Sequence, residues 1–372
     1  MSAQSSTSEI NVFDLLRLSA VPGVGASRLR ILVSHFGSPA RVLEASALDI
    51  SKVEGIEKRL AATIAHFDGG SEFAEEQLSA LNRIDGRIVT IWDDEYPELL
   101  RKIYDPPPLL FVLGTIEPND RYAVAVVGTR LPSNYGKLIA EKLTRELSAK
   151  GITIVSGLAR GIDTISHLSA FQAGGRTIAV IGSGLDRIYP PENREHVERF
   201  REQGAIVSEF GMGALPDAGN FPRRNRIVSG MTLGTLIIET PENGGAMITG
   251  STALDQNREL FCVPGNITEK NSIGGNILIR DGRAKLVLTV DDIIAELEPA
   301  LRPILKNTPE PPPLQLSIFE SRLLELLAPE PLHVDLLSER AGLSIPDTLV
   351  NMLSLEFKGL VRQLAGKVFV KM

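Results

Sequence analysis

The sequence has little cysteine and few aromatic residues, and it has no long apolar run. Its 372 residues contain one cysteine, and aromatic residues make up 5%. A single cysteine excludes a disulfide framework within the chain, and with five scattered histidines it leaves no spacing for a metal site. Because no run of about 18 apolar residues occurs, we expect no segment that spans a membrane.

The beginning of the chain offers no targeting signal. Met1–Glu9 is rich in Ser and Thr, and it lacks the basic region followed by an apolar one that marks a secretory signal. The one cysteine, Cys262, lies in the apolar run Leu260–Val263, which favours a buried thiol over a reactive one. These features predict a protein of the reducing cytoplasm that holds no metal.

Positive charge is concentrated in one stretch of an otherwise acidic chain. The formal net charge of −7 argues against a protein that coats duplex DNA by bulk charge. In the stretch Gly219–Gly230, three arginines that fit phosphate lie beside a phenyl ring that can stack on a base for roughly 1–3 kcal/mol. We therefore predict a single-stranded nucleic-acid site built from Gly219, Asn220, Phe221, Arg223, Arg224, Asn225 and Arg226. The alternative is a surface loop whose arginines pair with carboxylates such as Glu209 and Asp217.

From residue 121 onward, short apolar runs alternate with amphipathic segments. Between the first two runs, Leu138, Ile139, Leu143 and Leu147 recur at helical spacing. This pattern predicts a parallel sheet covered on both faces, a doubly wound, Rossmann-like α/β fold of about 180 residues. The seven predicted strands are Ala123–Val127, Thr153–Ser156, Thr177–Ile181, Ala205–Ser208, Leu236–Glu239, Leu260–Val263 and Leu286–Leu288.

Glycine-rich loops follow several of these strands. Ligands of doubly wound sheets bind beyond the carboxyl ends of the strands, so these loops should converge on the arginine stretch. Backbone amides at helix N-termini, together with Arg130 and Arg160, suit phosphate groups. The candidate phosphate loops contribute Gly128, Thr129, Ser156, Gly157, Gly161, Asp163, Gly182, Gly184 and Thr249.

These loops do not match the common nucleotide-binding motifs. Gly182-Ser183-Gly184 lacks the third glycine of the dinucleotide fingerprint, and Gly136-Lys137 lacks the upstream glycine of a Walker loop. We therefore expect no cofactor. A nucleotide-processing hydrolase that uses Glu239 or Asp163 as its catalytic carboxylate is the alternative function for the same pocket.

A hydrolase would need a nucleophile and a base within reach of each other. Asp163 and His167 are four residues apart on a predicted helix and share a face, and Ser156 lies just before them. Since no Gly-x-Ser-x-Gly elbow is present, we favour capping of the helix by Ser156 or Asp163 over catalysis.

Residues 1–70 predict a small domain of short helices joined by tight turns. Val21–Gly25 enters a helix at Ala26–Phe36, an arrangement that resembles the helix-hairpin-helix motif, whose glycine amides can face a DNA phosphate. Arg28 and Arg30 would then be phosphate partners. The alternative is a plain connection between helices.

The central domain is predicted to span residues 71–300 and to begin with an extension of the sheet domain. A helix is expected at Glu72–Arg83 and a strand at Arg87–Trp92. The prolines of Asp105–Pro108 exclude a regular element there.

A proline-rich linker, residues 301–313, separates this domain from a small one at residues 314–372. The pattern of three helices and a β-hairpin turning at Ala365-Gly366 predicts a winged helix. Its third helix is poorly charged, which favours protein contact or regulation over DNA reading. The expected helices are Ser317–Leu327, Val334–Ala341 and Pro346–Lys358, and the expected strands are Leu360–Leu364 and Lys367–Lys371.

The motifs at the strand ends resemble those of the DNA-processing protein A family (DprA, also called Smf). The helical front domain and the winged helix also fit the longer members of that family. The resemblance rests on Val127–Arg130, Ser156–Asp163 with His167, Gly182–Asp186, Tyr189–Asn193, Ser208–Phe210, Gly219–Gly230 and Val263–Gly265.

This resemblance implies a binding protein and not an enzyme. Such proteins bind single-stranded DNA, protect it and load the RecA recombinase during natural transformation, and they dimerise through the Rossmann-like domain. By motif matching, Arg130 and the Phe221–Arg226 stretch would carry the DNA, with Phe221 stacking and the arginines holding phosphates. A further hypothesis is an adaptor that recruits partners through its front and winged-helix domains.

Overall fold

The computed structural model describes residues 10–305, 316–327, 331–364 and 366–371. The chain divides into two compact units, Met1–Thr308 and Pro309–Met372. The N-terminal tail Met1–Glu9, residues 306–313 of the predicted linker and the turn residue Ala365 lie outside the described residues. Across the described ranges, every helix is too short or too polar to serve as a membrane span.

Six helices open the described part of the chain, and the first five, joined by tight turns, confirm the predicted helix-hairpin-helix arrangement. α1 is capped by Asn11, whose side chain accepts a hydrogen bond from the Asp14 amide at 3.2 Å. α2 follows the glycine turn, in which Gly23 has a φ of +87° that favours glycine. The helices are α1 (Val12–Ser19), α2 (Ala26–Phe36), α3 (Pro39–Glu44), α4 (Ala47–Ile50), α5 (Lys58–Ala65) and α6 (Ser71–Asn82).

A nine-stranded sheet forms the centre of the first unit. Its strand order is β1-β2-β6-β5-β4-β3-β7-β8-β9, and the pairs from β6 to β9 are all parallel. The predicted doubly wound α/β fold is therefore confirmed. The strands are β1 (Arg87–Thr90), β2 (Leu109–Gly114), β3 (Ala123–Val127), β4 (Thr153–Ser156), β5 (Thr177–Ile181), β6 (Gly204–Ser208), β7 (Gly234–Ile237), β8 (Glu259–Cys262) and β9 (Lys285–Leu286).

The extension before residue 121 supplies two strands of this sheet and not one. β2 is antiparallel to both β1 and β6, and Phe111 lies opposite Ser208. The sequence interpretation missed this strand because the prolines before it suggested an irregular segment. They end at Pro108, however, and the apolar run begins at the next residue.

Helices cover both faces of the sheet. Along β3, Ala123, Ala125 and Val127 pack in one buried cluster, whereas Val124 and Val126 pack in another on the opposite face. This alternation with a period of two is the signature of a strand buried on both sides. The helices are α7 (Glu98–Arg101), α8 (Asn134–Ala149), α9 (Ile162–Gln172), α10 (Val197–Gln203), α11 (Asn220–Gly230), α12 (Gly245–Asp255), α13 (Ile273–Arg280) and α14 (Val290–Leu305).

The front helices and the sheet share one hydrophobic core. Leu15 and Ile64 belong to the same cluster of buried side chains as Phe111 and Ile181. The two parts therefore lie in a single compact unit. The domain boundary at residue 70 stays a prediction.

The last helix of this unit corrects the predicted start of the linker. Residues 301–305 form the final turn of α14, although Pro299 and Pro303 lie inside that helix. Leu301 is fully buried with Val290, Ile293 and Leu297. This helical spacing of apolar residues holds the end of the helix against the sheet, so packing outweighs the prolines.

The second unit has the predicted winged-helix fold. Its three strands are ordered β10-β12-β11 around a core that includes Leu323, Met352 and Phe369. The short strand before the second helix was not predicted. The elements are α15 (Ile318–Leu326), β10 (Leu332–His333), α16 (Val334–Ala341), α17 (Ile345–Phe357), β11 (Val361–Leu364) and β12 (Val368–Lys371).

Candidate nucleic-acid interface

The arginine stretch is a helix and not a surface loop. It forms α11, whose N-terminal end lies at the carboxyl end of β5, because Asn220 Nδ2 donates to Gly182 O at 3.1 Å. Ile227 and Val228 are buried on the face of the helix that packs against the sheet. The loop interpretation of this stretch is thus wrong. The helical spacing decides which arginines point outward.

Arg224 points into the protein, contrary to the expectation of a surface arginine. Its residue is 4% exposed, and its Nη1 donates to Val180 O at 2.7 Å. Gly157 makes room for it, since a Cβ at that position would overlap the guanidinium. Burial lowers the pKa of Arg224 to about 10, although the Asp163 carboxylate raises it. Contact between Arg224 and a phosphate would therefore require a ligand that enters a cleft.

Arg226 is also held internally. It forms an ion pair with Glu209, whose side chain is 6% exposed, and it donates to Asp105 O at 2.6 Å. Burial raises the pKa of the Glu209 carboxyl, and Arg226 partly offsets that effect. The predicted alternative of pairing with carboxylates therefore applies to Arg226. Asp217 instead accepts a hydrogen bond from the Gly219 amide at 2.8 Å.

Arg223 remains at the surface beside this ion pair. Its side chain is 61% exposed, its Nε lies 3.9 Å from Glu209 Oε1, and its Cζ lies 5.0 Å from the centre of the Phe210 ring. Of the three arginines in the stretch, Arg223 is the one placed to meet a phosphate at the surface.

Two aromatic rings and two exposed arginines form a surface at the N-terminal end of α11. The Phe221 ring is partly exposed and lies 6.4 Å from the Tyr189 ring, measured between centroids. Arg130 lies over Phe221 at 5.3 Å, and Arg160 lies over Tyr189 at 5.8 Å. Arg160 also pairs with Glu192 through Nε at 2.5 Å. Flat faces flanked by guanidiniums suit unpaired bases joined by phosphates.

Tyr189 received no role from the sequence alone. It is 38% exposed, and it follows the loop after β5 within Tyr189-Pro190-Pro191. The signal that could have identified it is an aromatic residue in a loop at the carboxyl end of a parallel strand, where ligands bind. We call the depression beside the two rings the ring pocket, and it is lined by Arg130, Gly157, Ala159, Arg160, Gly182, Ser183, Tyr189, Pro190, Pro216 and Phe221.

A second cleft adjoins the ring pocket. It lies at the carboxyl ends of β3 and β7, and it has a volume of about 380 Å³. This is where the strand order reverses direction, which is the usual ligand position of doubly wound folds. We call it the switch-point cleft, and its lining is Val127, Gly128, Thr129, Arg130, Gly157, Ala159, Asp163, Phe221, Arg224, Asn225, Val228, Thr240, Pro241, Gly244, Gly245, Ala246 and Thr249.

The strand-end loops therefore converge as expected, but some of their residues serve packing. Gly161 has a φ of +78°, and a Cβ there would meet the backbone of Thr129 and Arg130. Gly184 lies close to Asp186 and the Gly211 carbonyl. Among the predicted site residues, those outside the lining of both pockets are Ser156, Gly161, Gly184, Gly219, Asn220, Arg223 and Arg226.

The residues of the hydrolase alternative have structural partners. Ser156 Oγ donates to Val126 O at 2.6 Å, and His167 Nδ1 lies 2.7 Å from Thr177 Oγ1. Burial, and after it the charge of Arg224, lower the pKa of His167 to about 3, so the imidazole is neutral at physiological pH. The expected capping of α9 by Ser156 or Asp163 is not observed, because its N-cap is Gly161 and no side chain caps the helix. Ser156 instead bonds back to β3, which leaves it without a base that would activate it as a nucleophile.

Glu239 is likewise engaged in holding the fold. Its carboxylate accepts hydrogen bonds from Ser133 Oγ at 2.5 Å and from the Ser133 amide at 2.9 Å. Ser133 in turn caps α8 by accepting from the Gly136 amide at 3.0 Å. Glu239 therefore fixes the start of α8 behind the β3 loop.

The helix-hairpin-helix turn faces a third depression. Arg30 is paired with Asp105 at 2.9 Å, whereas the exposed Arg28 donates to Gly23 O at 2.8 Å. The depression is lined by Gly23, Val24, Gly25, Ala26, Ser27, Arg28, Arg30, Tyr104, Asp105, Pro222, Arg223 and Arg226. Of the two arginines predicted for this motif, Arg28 is the one without a carboxylate partner among the described residues, and it is the one placed to contact a phosphate.

The sequence and the fold both match known proteins. The model of the family described as DNA recombination-mediator protein A matches residues 87–298. The chain belongs to the DNA-processing protein A family. The DprA winged helix domain matches residues 307–367, and the SAM-like helix-hairpin-helix tandem matches residues 15–65. The two DprA models thus match the central domain and the winged helix, and the front helices match a helix-hairpin-helix model.

Two relatives from this family are similar to the chain over most of their length. Protein Smf of Synechocystis is 33% identical over 94% of this chain and 96% of its own. Protein Smf of Escherichia coli is 36% identical over 78% of this chain and 79% of its own.

Solved DprA structures have the same fold. DprA from Streptococcus pneumoniae superimposes with a TM-score of 0.68 at 32% identity, over 78% of this chain and 99% of that one. DprA from Helicobacter pylori, solved for its single-stranded DNA binding mode, gives a TM-score of 0.52 at 28% identity, over 58% of this chain and 97% of that one.

Proposed function

We propose that this chain binds single-stranded DNA on the ring pocket. The observation that carries the proposal is the placement of Phe221 and Tyr189 side by side, with Arg130 and Arg160 over their faces. Base faces are hidden in a duplex and open in a single strand, so rings of this kind select unpaired DNA. Because the net charge is −7, binding depends on these local contacts and not on bulk attraction.

The proposed path of the strand leads from the rings toward the front helices. Arg223 follows Phe221 by two residues on α11, and Arg28 lines the same depression as Arg223. Each phosphate neutralised on a single strand contributes about −0.7 to the slope of log affinity against log salt. With Arg130, Arg160, Arg223 and Arg28 engaged, we expect a slope of about −3.

The test is fluorescence anisotropy with labelled oligo-dT and with a matched duplex. We expect Phe221→Ala and Tyr189→Ala each to weaken oligo-dT binding by about 1–3 kcal/mol, because each removes a stacking face. The matched control is Phe357→Ala, which removes an exposed phenyl ring from the winged helix. Unchanged affinity in both ring variants, or equal binding of duplex and single strand, would contradict the proposal.

We also propose the recombination-mediator role, in which the bound strand is protected and RecA is loaded onto it during natural transformation. The winged helix offers a surface for this partner, since α17 exposes Val350, Leu353 and Phe357 at spacings that share a helix face. An exposed apolar face of this kind suits protein contact. In a strand-exchange assay, Phe357→Ala should lower RecA loading while oligo-dT affinity stays constant, and retained loading would exclude this face.

We further propose that the chain dimerises through its Rossmann-like domain. The described edge of the sheet ends at the two-residue strand β9, where Leu286 and, two residues on, Leu288 are exposed. An apolar sheet edge is a ready surface for association. Leu288→Glu should convert a dimer into a monomer in light scattering, and a monomeric parent protein would refute the proposal.

We propose no catalytic activity for this protein, which we assign to the cytoplasm. The proposal that the protein is not an enzyme is supported by the internal hydrogen bonds of Ser156, His167 and Glu239, which leave the hydrolase alternative without an activated nucleophile. Turnover of nucleotides that is lost in Glu239→Gln would overturn it.

A further inference from the structure

The switch-point cleft is lined by a buried arginine whose hydrogen bonds are incomplete. Arg224 lines the cleft and is 4% exposed. Its Nη1 donates to Val180 O, but its Nε has no hydrogen-bond partner among the described residues. A buried guanidinium without full compensation is costly, so the site favours an anion that enters the cleft.

The backbone around the cleft also favours an anion. α12 is an 11-residue helix that begins at the cleft, and its N-cap Gly244 provides no side-chain hydrogen bond to the first turn. The amides and dipole of such a helix start attract phosphate. Thr129 and Thr249 bring hydroxyl-bearing side chains to the same lining.

The lining of the cleft carries more positive than negative charge, which favours an anion. Arg130 and Arg224 oppose Asp163, which is the only carboxylate in the described lining. The Asp163 carboxylate is already bound from the protein side, since it accepts a hydrogen bond from the Ala159 amide at 3.3 Å. Burial raises the pKa of Asp163, although Arg224 lowers it, which limits the negative charge that it presents to the cleft.

We propose that the switch-point cleft is a binding site for a phosphate monoester. Phe221 and Arg130 line both this cleft and the ring pocket, so a nucleotide base on the ring could place its phosphate in the cleft. The same chemistry is carried by the 5′ phosphate at the end of a DNA strand and by a free nucleoside monophosphate. Internal phosphodiesters of a strand carry one charge instead of two and suit the site less well.

Gly245 allows a test that does not disturb the fold. It lines the cleft, and a Cβ built there meets no atom within 4 Å. Gly245→Asp places a negative charge at the start of α12, which stabilises the helix but repels an anion. Gly245→Asn has nearly the same shape without the charge, and it is the matched control.

The experiment is isothermal titration of the full chain with dTMP, inorganic phosphate and thymidine. We expect dTMP and phosphate to bind and thymidine to bind at least about tenfold more weakly than dTMP. Gly245→Asp should bind dTMP at least about tenfold more weakly than Gly245→Asn, with no loss of melting temperature. Absence of dTMP binding by the parent protein, or equal binding by the two variants, would overturn the proposal.

Oligonucleotides distinguish the two sources of the phosphate. If 5′-phosphorylated oligo-dT binds more tightly than the 5′-hydroxyl form, and Gly245→Asp removes the difference, the ligand is a strand end. Equal binding of the two forms, with dTMP binding intact, assigns the site to free nucleotides. The dTMP titration does not depend on strand binding, so its failure is separate from failure of the Phe221→Ala test.

Discussion

Replacing Arg226 should lower the free energy of unfolding, because its guanidinium is paired with Glu209 inside the protein. Its ion pair with Glu209 joins a side chain that is 16% exposed to one that is 6% exposed, so both charges are largely out of water. Loss of one member of a buried pair leaves the other charge uncompensated, which typically costs about 3–5 kcal/mol. We expect Arg226→Met to lower the free energy of unfolding by that amount.

The double variant separates this cause from lost packing. Arg226→Met with Glu209→Gln removes both charges, and we expect it to recover stability to within about 1–2 kcal/mol of the parent. Arg223→Met is the control on the same helix; its exposed pairing with Glu209 should contribute at most about 1 kcal/mol. Urea unfolding followed by fluorescence is suitable, because the one tryptophan, Trp92, lies in the sheet unit.

The pH dependence gives an independent check. Burial raises the pKa of Glu209 in the folded state, so this group favours folding below its unfolded-state pKa and loses that contribution as pH rises through the folded value. Without Arg226 the folded pKa rises further. The deficit of Arg226→Met should therefore be larger at about pH 8 than at about pH 5. A deficit below about 1 kcal/mol, or one that grows on acidification, would refute the reasoning.

Two further predictions concern the loops and the winged helix. Gly161→Ala should lower the free energy of unfolding in urea by more than about 1 kcal/mol, because φ at Gly161 is +78° and a Cβ there would meet the backbone of Thr129. Gly245→Ala is the control, since a Cβ at Gly245 meets no atom within 4 Å, and an equally small effect at Gly161 would contradict the prediction. In the winged helix, hydrogen bonds from Lys358 and then Ser354 lower the pKa of Glu320 to about 2. Its contribution to stability should be present above its unfolded-state pKa and be lost as pH falls toward 2, and Glu320→Gln should flatten that acid transition in circular dichroism.

The sheet was predictable because a strand buried on both faces leaves a direct mark in the sequence. Runs such as Ala123–Val127 and Thr177–Ile181 are short, apolar and separated by helical patterns, and the strands have those bounds. β2 was missed because prolines directly precede it on the chain, and one of its two partners, β6, lies about 90 residues away. Pairing over that distance leaves no local signal.

Residue type alone did not predict which arginine side chains point into the protein. Residue type identified the stretch, yet Arg224 lies one helical turn from Ile227 and Val228 on the buried face. That spacing was visible in the sequence once the stretch is treated as a helix, and it would have predicted an inward guanidinium. Glu209 and Asp217 were expected as examples of carboxylates that pair with the arginines of this stretch. The fold pairs Arg226 with Glu209, whereas Asp217 accepts a hydrogen bond from the Gly219 amide.

The fit between Gly157 and Arg224 links two positions that are 67 residues apart in the chain. Gly157 cannot gain a side chain while Arg224 is retained, because a Cβ at Gly157 would occupy the space of the guanidinium. Evolution at these positions should therefore be paired: homologues that acquire alanine or serine at the first are expected to have shortened the second in the same lineage. Such coupled exchanges would record this contact in an alignment of many sequences.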